Sequence, residues 1–252
     1  MLTLSSRRFA ALLLLGFAPT VTVQAEPAII AKARAYLGSE AALNAVKSLH
    51  YTGSMLAPVG TDATKPLTVG VEIIFQEPYR QRTVRTTASI VDTSALDDYD
   101  GWQKIQDGKD PTRWRLQLLP TDQIKRQRAI VWENLAFYRG LEQAGGSVID
   151  QGPVTLEGVA CRKVAFIHAP QLIFYRYFAE ATGRLMLTET ENGSSIREQG
   201  EIMANGIRFP RKITNSIRTA AGKEQTVTIT FDAITVNESF PASQFAIPSF
   251  SR

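Results

Sequence analysis

The chain has 252 residues, 44% apolar and 21% charged, a balance that fits a globular protein and excludes disorder as its main state. Its formal charge of +4 falls to +2 without Arg7 and Arg8, leaving 26 basic against 24 acidic residues, too even a balance to argue for nucleic-acid binding. A single cysteine, Cys161, excludes an internal disulfide and any cysteine-rich metal site.

Residues 1–25 read as a signal peptide. Arg7 and Arg8 make a positive start, residues 9–18 an apolar run, and Val23 and Ala25 place small residues at the −3 and −1 positions of a cleavage site. The apolar run is shorter than the about 20 residues a membrane span needs, so cleavage is favoured over anchoring. No cysteine follows it to carry a lipid. Paired arginines also occur in twin-arginine signals, but the general secretory route is the simpler reading.

Residues 27–47 are expected to be helical, with Pro27 in the first turn, a break at Gly38, and Ser39 capping a second short helix over residues 40–48. Ile29, Ile30, Ala33, Leu37, Leu43 and Val46 form an apolar stripe, either packed on a sheet or serving as a movable lid. Strands are expected at residues 51–56, 67–75 and 80–91, with 58–66 as a loop and 97–101 as a turn. The acidic residues of that turn lack the glycine and glutamate spacing of a calcium loop. A helix over 121–142 would be capped by Thr121 and ended at Gly140 or Gly145. It presents Ile124, Val131, Leu135 and Tyr138 on one face, with Lys125, Arg126, Arg128 and Glu133 mostly opposite.

Strands resume at residues 146–156 and 159–168 across Glu157-Gly158. Residues 174–237 then form the organising stretch: apolar-alternating runs separated by Ala181-Thr182-Gly183, Asn192-Gly193-Ser194, Asn205-Gly206 and Ala221-Gly222. Gly or Asn at each break supplies the positive φ of tight hairpins. The whole predicts an antiparallel meander in one domain over residues 26–252.

Catalytic chemistry has no visible motif. His50 and His168 stand far apart with no partner at metal-ligand spacing. Cys161 sits within an alternating run and reads as a buried thiol. Ser54, Ser94 and Ser194 lack a nucleophile-elbow pattern. Large apolar residues instead crowd both faces of YRYF and LML, which suits either a filled core or a cavity for acyl chains.

Taken in order, several stretches resemble the LolA-like superfamily, the periplasmic outer-membrane lipoprotein-sorting proteins and their relatives. They are residues 31–53 (AKARAYLGSEAALNAVKSLHYTG), 75–82 (FQEPYRQR), 98–102 (DYDGW), 177–185 (YFAEATGRL), 205–210 (NGIRFP) and the ending 231–248. The resemblance implies an α+β fold: one highly curved, unclosed antiparallel sheet, a half-barrel, with helices over its concave apolar face. It implies a periplasmic carrier for lipid or lipidated protein, acting without chemistry, cofactor or metal. A membrane-bound donor or acceptor would be its partner, and the chain would be a monomer. One departure stands out: where carriers of the family place a basic residue before the proline after their early strand, this chain has Glu77, with Arg80 and Arg82 following.

Residues expected to line the cavity are Ile30, Leu37, Phe75, Val131, Leu135, Tyr177, Leu185 and Phe231. A protein-interaction or stress-sensor module with a filled core is the alternative. A hydrolase with two carboxylates at the mouth of the sheet is the third reading, marked by one strongly raised pKa.

Overall fold

The computed structural model describes residues 26–59, 62–218 and 224–248. The signal-peptide reading and the turn at Ala221-Gly222 fall outside them. Helices α1 (Ala28–Leu37) and α2 (Glu40–Asn44) lead into β1 (Ser48–Val59), β2 (Asp62–Gln76), β3 (Arg80–Thr86), β4 (Ile90–Asp97), β5 (Asp100–Asp107) and β6 (Trp114–Leu118). Helix α3 (Thr121–Leu135) follows, then β7 (Ser147–Leu156), β8 (Val159–Ala169), β9 (Leu172–Ala179), β10 (Leu185–Thr190) and β11 (Ser195–Gln199). The chain ends through β12 (Ile202–Ala204), β13 (Ile207–Phe209), β14 (Lys212–Arg218), β15 (Glu224–Val236) and a short 3₁₀ turn at Ala242–Gln244.

Thirteen strands form one curved, unclosed antiparallel sheet in the order β6-β5-β4-β3-β2-β1-β15-β14-β11-β10-β9-β8-β7, and β12 and β13 pair apart from it. The chain therefore starts near the middle, meanders outward to β6, crosses through α3 to the opposite edge and meanders back. Alternation along β1 turns Leu49 and Tyr51 towards the helices and Ser48 and His50 away from them. The helix-bearing inner face holds two apolar clusters. One gathers Leu49, Tyr51, Phe75, Leu96, Val131, Leu135 and Phe231; the other gathers Ile30, Val164, Phe166, Phe174, Phe178 and Leu185. On the outer face the segment after β15 lays Phe240 and Phe245 on Ile74, and Trp102 Nε1 donates to the Phe245 carbonyl at 2.8 Å.

Several expected boundaries move, each for a local reason. Residues 58–59 and 62–66 continue β1 and β2 rather than lying in a loop, because Pro58 faces Pro66 and a facing pair removes donors from one rung only. The strand expected over 80–91 divides at Thr86. The Thr87 hydroxyl accepts from the Ile90 amide at 3.0 Å, a turn that needs neither Gly nor Pro. The second helix stops at Asn44, although Ser39 caps it as expected, its hydroxyl accepting from the Ala42 amide at 3.2 Å.

Helix α3 begins after Pro120 with no side-chain cap and ends at Leu135, seven residues short of the expected end. Phe137 and Tyr138 take φ of 46° and 74°, breaking the helix without glycine. Glu133, expected on the wet face, is buried. The run over 195–217 is shared among four strands, with Asn205-Gly206 at φ 49° and 76° forming the β12–β13 turn.

Candidate functional site

The site the sequence points to is the inner face beneath the helices, and seven of its eight expected residues lie there. Phe75, Val131, Leu135 and Phe231 belong to the first cluster, Ile30 and Leu185 to the second, and Leu37 packs against both. Tyr177 is a correction. It points to the opposite face with Cys161 and Leu187, because it alternates with Arg176 and Phe178, and its hydroxyl donates to Glu189 at 2.5 Å. Cys161 is fully buried, and burial pushes its thiol up, as expected of an inert cysteine.

Helix α1 closes this face tightly. Gly183, at φ 78°, sits so close that an added Cβ would meet the Lys32 carbonyl carbon at 2.5 Å. A Cβ on Gly38 would meet the Gly206 carbonyl oxygen at 2.8 Å. What remains between α1 and the sheet is a crevice of about 30 Å³, lined by Leu37, Leu185, Phe209, Arg184 and Glu198. That is room for one or two waters and far below the size of a ligand pocket.

Arg34 holds the helices together from inside. It is 1% exposed. Its Nε and Nη2 donate to Glu40 at 2.9 and 2.7 Å, Nη2 also to Asn44 Oδ1 at 2.8 Å, and Nη1 to the Ala136 and Phe137 carbonyls at 3.1 and 2.8 Å. One planar cation thus ties α1, α2 and the end of α3, satisfying the Phe137 carbonyl and adding a second donor to that of Ala136, which also accepts from the Arg139 amide. The Arg34 hydrogen bonds hold the Glu40 carboxyl below its ordinary range. Sequence reasoning missed Arg34, though its spacing from Ile30 and Leu37 put it on the apolar stripe.

Further polar groups stand within the second cluster. Glu133 meets His168 Nε2 at 2.6 Å and pairs with Arg176, and all three side chains are about nine-tenths buried. Half-buried Glu198 has its carboxyl pushed up by burial, while the charges of Arg176 and Arg184 pull it back in part. These residues were scattered across α3, β8, β9 and β11, so no spacing rule could group them.

The inner rows of β3–β6 are polar. Gln81 and Thr83 face Leu96 and Ser94, and Ser94 faces Gln103, which in turn faces Gln117. Gln127 of α3 donates to the Ser94 hydroxyl at 3.1 Å, Gln103 to Asp92 at 2.8 Å and Gln117 to Gln103 at 2.8 Å. A larger cleft of about 480 Å³ lies on the outer face, lined by His50, Glu72, Arg82, Trp102, Glu238 and Phe240. There His50 Nδ1 and Nε2 sit 2.7 and 3.1 Å from Glu238 and Glu72. Among the described residues no group of three or more His, Cys, Asp or Glu is placed to hold a metal ion.

This architecture, an unclosed antiparallel half-barrel with helices on its inner face, defines the class of fold. Solved structures share it. A LolA superfamily protein from Nitrosomonas europaea superposes with a TM-score of 0.54 at 9% identity, over 87% of this chain and 96% of that one. An outer membrane lipoprotein-sorting protein domain from Vibrio parahaemolyticus gives 0.53 at 8% identity, over 86% and 94%. A DUF1329 family protein from Desulfovibrio piger gives 0.53 at 7% identity, over 87% and 96%. No protein-family profile or curated protein matches the sequence. The likeness is one of fold: the chain has the LolA-like architecture in a divergent sequence.

Proposed function

We propose that this is a periplasmic binding protein for the acyl chains of lipid or lipidated protein, described here with its helical cover closed. In this reading residues 1–25 direct export and are removed, residues 26–252 form one domain, and the protein acts by binding without chemistry. The observation that carries it is the pairing of an apolar inner face, from β1 and β2 through β15 to β7–β10, with a cover tied through one saturated cation, Arg34. Uptake of a chain would move α1 away from Leu185 and Phe178, and Arg34 is the group such a motion must release. Each buried methylene contributes about 0.8 kcal/mol, so a dozen carbons bind usefully with few polar contacts. A membrane-bound donor or acceptor fits the fold's relatives in lipoprotein sorting.

The polar inner face of β3–β6 favours a second reading, an envelope protein-interaction or stress-sensor module with a filled interior. Native mass spectrometry of residues 26–252, purified from a bacterial periplasm without detergent, separates the two. Adducts of lipid mass that disappear on organic extraction are expected from a carrier. A single bare mass, with no uptake of a fluorescent fatty acid, would leave the interaction module.

A further inference from the structure

Arg176 on β9 is a buried cation with donors to spare. Its side chain is 9% exposed, and its guanidinium carbon lies 4.6 Å from the Tyr138 ring centroid and 4.9 Å from that of Phe166. One terminal nitrogen pairs with Glu133. Its Nε and Nη1 have no hydrogen-bond partner, although a guanidinium carries five N–H groups and cannot shed its charge. Arg34, the other buried arginine among the described residues, shows the contrast: each of its three nitrogens has an acceptor. Burying charged donors without acceptors is unfavourable, so such groups persist where something else meets them.

The surroundings say what that would be. On its own strand Arg176 is flanked on the inner face by Phe174 and Phe178, and across the ladder it faces Thr188, three residues from Leu185. Leu185 lines the crevice beneath α1, as does Glu198, whose carboxyl feels the charge of Arg176. The apolar face that would receive a chain therefore runs onto an unsaturated cation. Glu133 faces it from α3 and is shared with His168, while Glu198 of β11 and Arg184 of the β9–β10 turn line the crevice beneath α1. Burial raises the proton affinity of Glu198, which lessens the repulsion an entering anion meets.

We propose that Arg176 binds the ionised head of a single-chain amphiphile, its anionic oxygens on Nε and Nη1 and its tail along the inner apolar face. This rests on the acyl-binding reading and narrows it. The favoured ligand carries a free carboxylate or phosphate monoester, which an ester- or amide-linked acyl chain lacks. Charge-assisted hydrogen bonds of this kind contribute enough to prefer the anion by about tenfold or more over a neutral head of equal length.

The test compares dodecanoate, dodecyl phosphate and 1-dodecanol on the detergent-free mature chain, by displacement of Nile red. Both anions, or one of them, are expected to bind at least about tenfold more tightly than the alcohol. The stronger of the two identifies the head as carboxylate or phosphate. Equal binding of all three would overturn the Arg176 site and leave acyl binding standing. Failure of all three to bind would overturn acyl binding and the site with it.

The paired variant Arg176→Met with Glu133→Gln leaves neither charge buried alone. It is expected to bind dodecanol like the parent and to lose the preference for the anions; a preserved preference would overturn the proposal. Carbon-13 spectroscopy of carboxyl-labelled dodecanoate on the unaltered protein supplies a readout that no variant affects. A carboxylate against Arg176 is expected to titrate below its value in water, about 4.3 for a free side-chain acid. A carboxyl that titrates higher when bound lies in apolar surroundings, and the site is then elsewhere.

Discussion

Strands β7–β10 turn Val148, Val164, Phe166, Phe174 and Phe178 towards the helices, whereas the inner rows of β3–β6 present Gln81, Thr83, Ser94, Gln103 and Gln117. Both wings are antiparallel, so strand direction does not explain the contrast. The helices do. Helix α1 and the chain around Tyr138 and Leu141 press on the first wing and exclude water from it. The second wing is covered by α3, whose Gln127 reaches Ser94 and whose Arg128 lies between the rings of Tyr79 and Tyr99, 3.8 and 3.9 Å from their centroids. One sheet thus supports a dry interior and a half-wet one, and the acyl binding proposed above is assigned to the dry side.

Truncating a side chain on each wing in turn separates the two. Phe178 is fully buried and packs edge-to-face on Tyr138 with centroids 5.1 Å apart. Phe178→Ala is expected to cost about 3–5 kcal/mol in urea unfolding. Ser94→Ala removes one hydrogen bond from a half-buried row and should cost about 1 kcal/mol or less. Equal losses would mean that the wings are packed alike.

Arg34→Met tests the tie between the wings' covers. It leaves the Phe137 carbonyl and Asn44 without their Arg34 donor and is expected to cost about 3 kcal/mol. Arg34→Lys should restore little, since one ammonium cannot reach the acceptors on α2 and at the end of α3 together. Amide hydrogen exchange places the effect: α1 should lose protection first, before β3–β6. Uniform loss across both wings would show that Arg34 is ordinary core and not a tie for the cover.

Gly183→Ala and Gly193→Ala separate backbone strain from contact. Both glycines lie in the left-handed region, at φ 78° and 80°, but Gly183 abuts α1 while nothing lies within 4 Å of a Cβ on Gly193. Gly193→Ala should cost about 1 kcal/mol in thermal unfolding. Gly183→Ala should cost about 2–4 kcal/mol, because α1 must also shift. Similar values at both positions would show that α1 is loosely seated on the dry wing.

Much of this fold was legible because hairpin turns and apolar alternation are local signals. Glu157-Gly158 and Asn205-Gly206 both take the paired positive φ that their sequences imply, and the strands on either side follow. Seven inner-face residues were legible for the same reason, as positions on an apolar stripe or face. Tyr177 was not, because YRYF carries large groups on both faces and alternation alone cannot say which meets the helices. The end of α3 was hidden since Phe137 and Tyr138 adopt a conformation usually marked by glycine, supported by Arg34 from a hundred residues away. The groups that give the interior its chemistry, Glu133, His168, Arg176 and Glu198, meet only through tertiary pairing.

Glu198 offers the smallest effect and the one with a definite pH signature. Its folded carboxyl holds a proton more tightly than the ordinary carboxyl, at 4.5, that it becomes on unfolding. Well below that value both states are protonated and the group contributes nothing to the pH dependence. As pH rises from there through the folded pKa, the unfolded state has already ionised while the native state must ionise against burial, so stability falls. The loss is complete above the folded pKa. Glu198→Gln removes that ionisation and should therefore raise the melting temperature at pH 7, with the gain shrinking to nothing below about pH 4. A gain that persists in acid would trace to packing in the crevice beneath α1. A loss at pH 7 would mean that Arg176 and Arg184 hold Glu198 as a charged partner, and the dry wing would then contain a fully paired ionic network.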